Sequence, residues 1–460
     1  MIKDLYAGAA TLMLLVVSAR ACAQDNAAPP GNADVTVENV VPASATDMVQ
    51  RFALHAQSTF TVQGTPGFAS PYVGTNSLTP HQVKETFDFT VYAGLRLWDG
   101  AEIWVNPEID QGFGLSNTLG VAGFTSGEAY KIGKANPYFK LPRLFLRQTI
   151  DLGGEAKPIN AAANQLAGTQ STDRLVLTLG KFSVVDVFDT NTYAHDPRGD
   201  FLNWSLIDTG TFDYGANSWG FTFGGAVEWY QGAWTLRGGL FDLSKVPNQP
   251  SLVVNFAQYQ IVGELEHRHT IGSHAGAIRI GSYVTRGRLA SLADAIGVYN
   301  ATGAIPADLA PLRQYRDKWG IQLSAEQEVT STIGLFLRAG YGDGKTEGDD
   351  FTDIDRTVEI GTQLKGSLWG RADDRVGLAG VVNGVSALHR QFFLDGGIGV
   401  LAGDGALPHP DSEQIVETYY NWQVTKGFNL TFDYQHVANP AYNRDRGPVH
   451  VFALRLHGAI

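Results

Sequence analysis

The stretch Thr86-Phe87-Asp88-Phe89-Thr90-Val91-Tyr92-Ala93-Gly94-Leu95-Arg96-Leu97 decides the fold. Its odd-numbered residues are all apolar, and the even-numbered ones include Thr86, Asp88, Thr90, Tyr92 and Arg96. A strand sends successive side chains to opposite faces, so one face here is apolar and the other polar and charged. The pattern recurs along the chain. Trp219, Phe221, Phe223, Val227 and Trp229 alternate with Ser218, Thr222 and Glu228. Trp319, Ile321, Leu323 and Ala325 alternate with Gln322, Ser324, Glu326 and Glu328. Phe428, Leu430, Phe432 and Tyr434 alternate with Asn429, Thr431, Asp433 and Gln435, and Phe452, Leu454 and Leu456 with Val451 and Arg455. A soluble sandwich would bury such a face with strands of about five or six residues. These run longer, toward the roughly 9–11 residues that cross a bilayer at a tilt.

About sixteen segments of this kind follow one another, an even number as bacterial barrels require. They begin near Phe52, Lys84, Ala101, Arg143, Asp173, Ser218, Ala233, Gln258, His274, Lys318, Thr332, Arg356, Asp374, Glu413, Phe428 and Pro448. Trp98-Asp99-Gly100, Gln231-Gly232, Val329 to Ser331 and Thr425-Lys426-Gly427 read as short turns, and 111–137, 182–217, 285–317 and 383–412 as long loops. Short turns on one rim and long loops on the other is the outer-membrane arrangement. The predicted fold is therefore all-β, a 16-stranded antiparallel transmembrane barrel over residues 51–460. The connection Leu152 to Thr172 is longer than a short-rim turn should be.

Composition agrees. Charged residues are 17% of the chain, below the ordinary quarter, while aromatics reach 11% and glycines number 53. A mean hydropathy of −0.09 does not argue against a barrel, because strands that are apolar only at alternate positions average out. The net charge of −12 speaks against a nucleic-acid partner, which favours a basic face. At the N-terminus, Lys3, the apolar run Leu5 to Val17 and Ala21-Cys22-Ala23 read as a signal peptide over 1–23; a lipoprotein signal using Cys22 is the alternative. Residues 24–50 read as a flexible leader. Cys22 is the only cysteine, so cleavage before Gln24 leaves no disulfide or thiolate site. No cofactor is expected.

Strand parity gives the inward list. Its bases are Arg96, Arg143, Arg147, Arg174, Arg237, Arg279 and Arg338. Its acids are Asp88, Glu102, Glu264, Glu266, Glu326, Glu328, Glu359, Glu417 and Asp433, joined by Tyr92, Trp104, Tyr283 and Tyr419. Charges that merely hydrate a wet lumen explain any one of these. The set as a whole mixes both signs, unlike the cationic rings of an anion pore. Guanidinium donors, carboxylate acceptors and flat aromatic faces suit a neutral polyhydroxylated solute. Phe89, Phe223, Leu323 and Leu430 are expected to face lipid, and Thr90 and Thr431 to tolerate a charge.

Three stretches resemble the carbohydrate-selective porin family of OprB type: LGKFSVVDVFDTNTYAHDPRGDFLNWSL from Leu179, HRQFFLDGGIGVLAGDGALPHPDSEQIVETYY from His389, and YYNWQVTKGFNLTFDYQHVANPAYNRDRGPVHVFALRLH from Tyr419. The resemblance implies a sixteen-stranded pore for glucose and related sugars in the outer membrane, narrowed by inward-folded loops. It places Lys181, Asp186, Asp189, Asn191, Tyr193, Asp196, Arg198 and Asp200 near the constriction; turn fixing explains the same Asp and Asn residues. Together with Arg96, Glu102, Trp104, Arg143, Arg147 and Arg174 these are the candidate pore-lining residues. The implied partners are small sugars and outer-membrane lipid and lipopolysaccharide, with monomer and homotrimer both open. One departure is the C-terminus, which ends Leu456-His457-Gly458-Ala459-Ile460 where such barrels usually end in an aromatic residue.

The rival readings are a non-selective porin and a barrel-based outer-membrane enzyme. An enzyme needs a nucleophile, a base and an orienting group in reach of one another, and no Gly-x-Ser-x-Gly occurs. His267, Arg268, His269 and His274 sit at a turn and want further ligands to hold a metal. Asp343 to Asp355 is an acidic loop without EF-hand spacing; a divalent cation there is the sharper reading and a solvated loop the plainer one.

Overall fold

The computed structural model describes residues 49–129 and 133–460. The expected signal peptide, 1–23, and all but the last two residues of the expected leader, 24–50, lie outside the described residues. The strands are β1 (Phe52–Thr65), β2 (Gln82–Trp98), β3 (Ala101–Gly112), β4 (Lys134–Ile159), β5 (Gly168–Phe182), β6 (Thr222–Gln231), β7 (Trp234–Asp242) and β8 (Tyr259–Ile271). They continue with β9 (His274–Ala290), β10 (Arg313–Thr330), β11 (Ile333–Gly342), β12 (Arg356–Lys365), β13 (Arg375–Gly384), β14 (Glu413–Thr425), β15 (Phe428–Ala438) and β16 (Val449–Ala459). Each strand pairs with its neighbours in sequence, and β1 closes the barrel against β16 with Phe60 opposite Leu456. Closure removes the free edges that an open sheet would present.

The period-two reading fixes the faces. Ile321, Phe432 and Phe452 are half exposed on the outside, while Thr90, Thr431 and Arg455 are buried within. The helices among the described residues are short ones in loops, the longest being Leu292–Thr302.

Several boundaries move. β4 starts at Lys134 and not near Arg143, β5 at Gly168 and not near Asp173, and β6 at Thr222 and not at Ser218. Residues 152–172 are mostly strand: β4 runs for 26 residues, and its ladder with β5 continues to Ile159 opposite Gly168. The long-loop rim also carries 66–81, 243–258, 343–355 and 439–448, which were not counted as long connections from sequence.

Candidate functional site

The site begins where β5 ends. Segment 183–221 turns into the barrel instead of away from it. Two causes act together. Val184, Phe188, Phe201 and Phe212 are fully buried inside, which removes their apolar surface from water. Irregular backbone also carries N–H and C=O groups that need partners once buried, and the inner wall supplies them. Glu264 on β8 accepts the Asp189 N–H at 2.9 Å. Glu326 on β10 accepts the Thr192 N–H and hydroxyl at 2.7 and 2.9 Å. Arg338 on β11 donates to the carbonyls of Asp189, Ala194, Leu206 and Ile207. Glu417 on β14 accepts the Leu202 and Asn203 N–H groups, and Arg455 on β16 donates to the carbonyls of Pro197 and Asp200. Glu264, Glu326 and Glu417 therefore hold a loop, and they are closed off from solvent by it.

Opposite this anchored side stands the wall of β2 to β4. Glu108 and Asp110 face inward from β3, with Lys140 on β4 at 3.1 and 2.7 Å from them. Asn106 is opposite Arg143 and Glu108 opposite Lys140, so the register slips between them. Pro107 and Leu141-Pro142 occupy the slip. Proline cannot donate to a ladder and sits at bulges, and the extra residue lets Lys140 and Arg143 both point inward although they are three apart in sequence.

Segment and wall meet through opposite charges. Arg143 makes a bidentate contact with Asp186 at 2.6 and 2.8 Å. Arg198 lies 3.9 Å from Asp88 on β2, 3.7 Å from Glu128 and 3.7 Å from Asp196. The side chains of Arg143, Asp186, Arg198 and Asp196 keep 19, 28, 22 and 40% of their surface, whereas Arg338 and Glu359 keep none. A passing solute can therefore touch the first group and not the second. Burial works against the Asp186 charge, but the Arg143 guanidinium outweighs it and holds the carboxyl below the usual range. Asp196 behaves alike beside Arg198.

The sequence-derived candidates divide into distinct places. Arg143, Asp186, Asp196 and Arg198 come together. Asp189 and Asn191 are buried within the segment: Asp189 accepts from the Thr209 N–H and hydroxyl and pairs with Arg338 at 3.2 Å, and Asn191 donates to the Ser324 hydroxyl. Arg96, Glu102, Trp104, Arg147 and Arg174 lie toward the short-turn rim. Arg96 is 3.5 Å from Glu102, Trp104 donates to Glu102 at 3.1 Å with its ring wholly enclosed, and Arg174 stacks 3.7 Å over Tyr230. Lys181 stands on the outer face, opposite Leu144 and Phe223 in the ladders, with its ammonium on the Leu141 carbonyl. Its parity within β5 is that of Leu177 and Leu179, which the strand boundary chosen from sequence did not use. Glu108, Lys140 and Glu128 were missed from the candidate set. The prolines at 107 and 142 were the available signal for the first two, since proline inside a strand marks a bulge and a change of parity.

Residues 75–459 match the model of the carbohydrate-selective porin, OprB family. Among solved structures the chain is similar to the high-pH structure of OprB from Pseudomonas putida, with 15% identity, a TM-score of 0.66, and 89% of this chain and 94% of that chain covered. The outer membrane channel DcaP of Acinetobacter baumannii is matched at 11% identity and a TM-score of 0.48, over 89% of this chain and 97% of that one. No curated protein sequence matches the chain.

Proposed function

Because the chain belongs to the carbohydrate-selective porin family, an outer-membrane channel and not an enzyme, we propose that it passes small neutral sugars such as glucose, with its selective constriction between the β2–β4 wall and segment 183–200. The observation that carries this reading is the meeting of opposite charges between segment and wall, Asp186 with Arg143 and Arg198 with Asp88, where the side chains of Arg143, Asp186, Arg198 and the neighbouring Asp196 stay partly exposed. Each guanidinium offers N–H donors and each carboxylate offers acceptors. A sugar hydroxyl does both, so a neutral polyol exchanges its hydration for contacts on either side. A free anion or cation meets its own sign as often as the opposite one. Binding stays weak enough for release, as conduction requires. In this reading the 1–23 signal peptide exports the chain, and lipid and lipopolysaccharide surround the barrel.

Planar-bilayer conductance with a panel of sugars as blockers tests it. Glucose should block ion current through the parent chain. Arg143→Ala and Arg198→Ala should weaken that block and raise ionic conductance. Unchanged block in both variants would move the selectivity elsewhere, and a parent channel that no sugar blocks would make this a non-selective porin.

A further inference from the structure

The ribbon that joins β4 to β5 is the largest departure from a plain barrel at the short-turn rim. β3 accompanies β4 only as far as Gln148, opposite Ala101, and β6 meets β5 only from Arg174, opposite Tyr230. Beyond those points β4 and β5 pair with each other alone, to Ile159 opposite Gly168, and the tip closes with a bridge between Ala162 and Gln165. A straight ribbon would stand in water. This one bends: the register slips at Gly153, and Gly153 and Gly154 take φ of 105° and 85°, which side chains rarely allow.

The bend returns the tip to the inner wall. Arg147 donates to the Asn164 carbonyl at 2.8 Å, and the Arg96 guanidinium reaches the Ala167 carbonyl at 3.5 Å. Gln50, just before β1, donates its N–H to the Ala167 carbonyl and accepts the Ala167 N–H on its side chain. Leu166 is fully enclosed, and so is the inward-facing Trp104. Composition fits the placement. The stem carries Asp151, Glu155 and Lys157, whereas Ala161-Ala162-Ala163-Asn164-Gln165-Leu166-Ala167-Gly168 has no charge to desolvate.

We propose that this tip is a second, fixed constriction at the periplasmic mouth, so that a sugar released from the Arg143–Arg198 gap must still pass between the tip and the rest of the rim. Arg96 and Arg147 are its positioning residues, and the tip sets the width there. The proposal rests on the pore reading above, and its test separates the two.

Asp151 and Arg174 already face each other across the ladder, so residues 152–173 can be replaced by Asn-Gly, a pair that favours a two-residue hairpin turn. Leu166→Asp, in the full-length chain, expels the tip without touching the Arg143–Arg198 gap. Heat-modifiability reports barrel assembly, and single-channel conductance and glucose block are read in planar bilayers. Both variants should conduct more than the parent while keeping glucose block at the Arg143–Arg198 gap. A folded variant of either kind that conducts like the parent overturns the second constriction; if the shortened chain does not assemble, Leu166→Asp decides alone. A parent chain that forms no channel overturns the pore reading and, with it, this one.

Discussion

Arg338 is wholly enclosed, and its guanidinium is shared among backbone carbonyls of segment 183–221, Glu359 at 2.9 Å and Asp189 at 3.2 Å. Removing one member of a buried, paired set leaves the others uncompensated, at a cost of about 3–5 kcal/mol. Arg338→Ala should therefore undock the segment while the backbone ladder of the barrel persists. Limited proteolysis within 183–221 should become fast in a chain that still shows heat-modifiability; continued protection would mean that the other wall contacts suffice. The same segment should respond to pH. Burial opposes the His195 charge, but Asp208 at 3.6 Å more than offsets it, and its pKa ends above the ordinary value. Burial raises Asp189 to about 6 against the pull of Arg338. Both groups bind a proton more tightly in the docked segment than in a free one. Their contribution is full below the free values and is lost as pH rises through the docked ones. Asp186 and Asp196, held low, act in the opposite sense and only in acid. Protease protection should accordingly fall as pH rises through about 6, where Asp189 gives up its proton, and on beyond the ordinary histidine value of about 6.5, and His195→Asn should flatten the upper part of that slope. Protection that rises with pH there would contradict the assignment.

At the scale of the strand, parity is the physical quantity that matters, and Leu323 shows it. Its side chain is 36% exposed on the outer face, between the buried Gln322 and Ser324. Leu323→Arg should cost roughly 2–4 kcal/mol near the membrane midplane, read as a lowered temperature of heat modification. The inner face is less forgiving than alternation alone suggests. Thr90 is enclosed with its hydroxyl on Glu108 at 2.6 Å, and Thr431 is enclosed as well. A charge at either position meets packed loop and wall, so the structure withdraws the expectation that these threonines tolerate one. The bulge at Pro107 and Pro142 has a consequence of the same kind, because it brings Lys140 into line with Arg143.

Among the described residues, short connections gather at one rim and eight longer segments at the other. Outer-membrane barrels keep the short turns in the periplasm. An epitope inserted after Gly303, exposed in the loop that follows the Leu292–Thr302 helix, should be labelled on intact cells. One inserted after Gly232, in the turn between β6 and β7, should be labelled only after the outer membrane is opened. The reverse result would invert the barrel.

The sequence by itself determined how many strands there are, their order around the wall and, away from bulges and strand ends, their faces. Each rests on local alternation between neighbours two residues apart, and nearest-neighbour pairing follows from short turns. It also determined that the lumen would carry both signs of charge, since Arg338, Glu326 and Glu417 declare their inward parity without any knowledge of partners. Only the tertiary structure decided what those charges do. Glu417 meets Leu202 and Asn203 across more than two hundred residues, and Arg143 meets Asp186 while Arg96, Trp104 and Arg147, of the same inward parity, lie toward the other rim. Depth along the barrel depends on strand tilt, on bulges such as that at Pro142 and on where the loops turn in. Those are properties of the closed sheet as a whole, and no short window of sequence contains them.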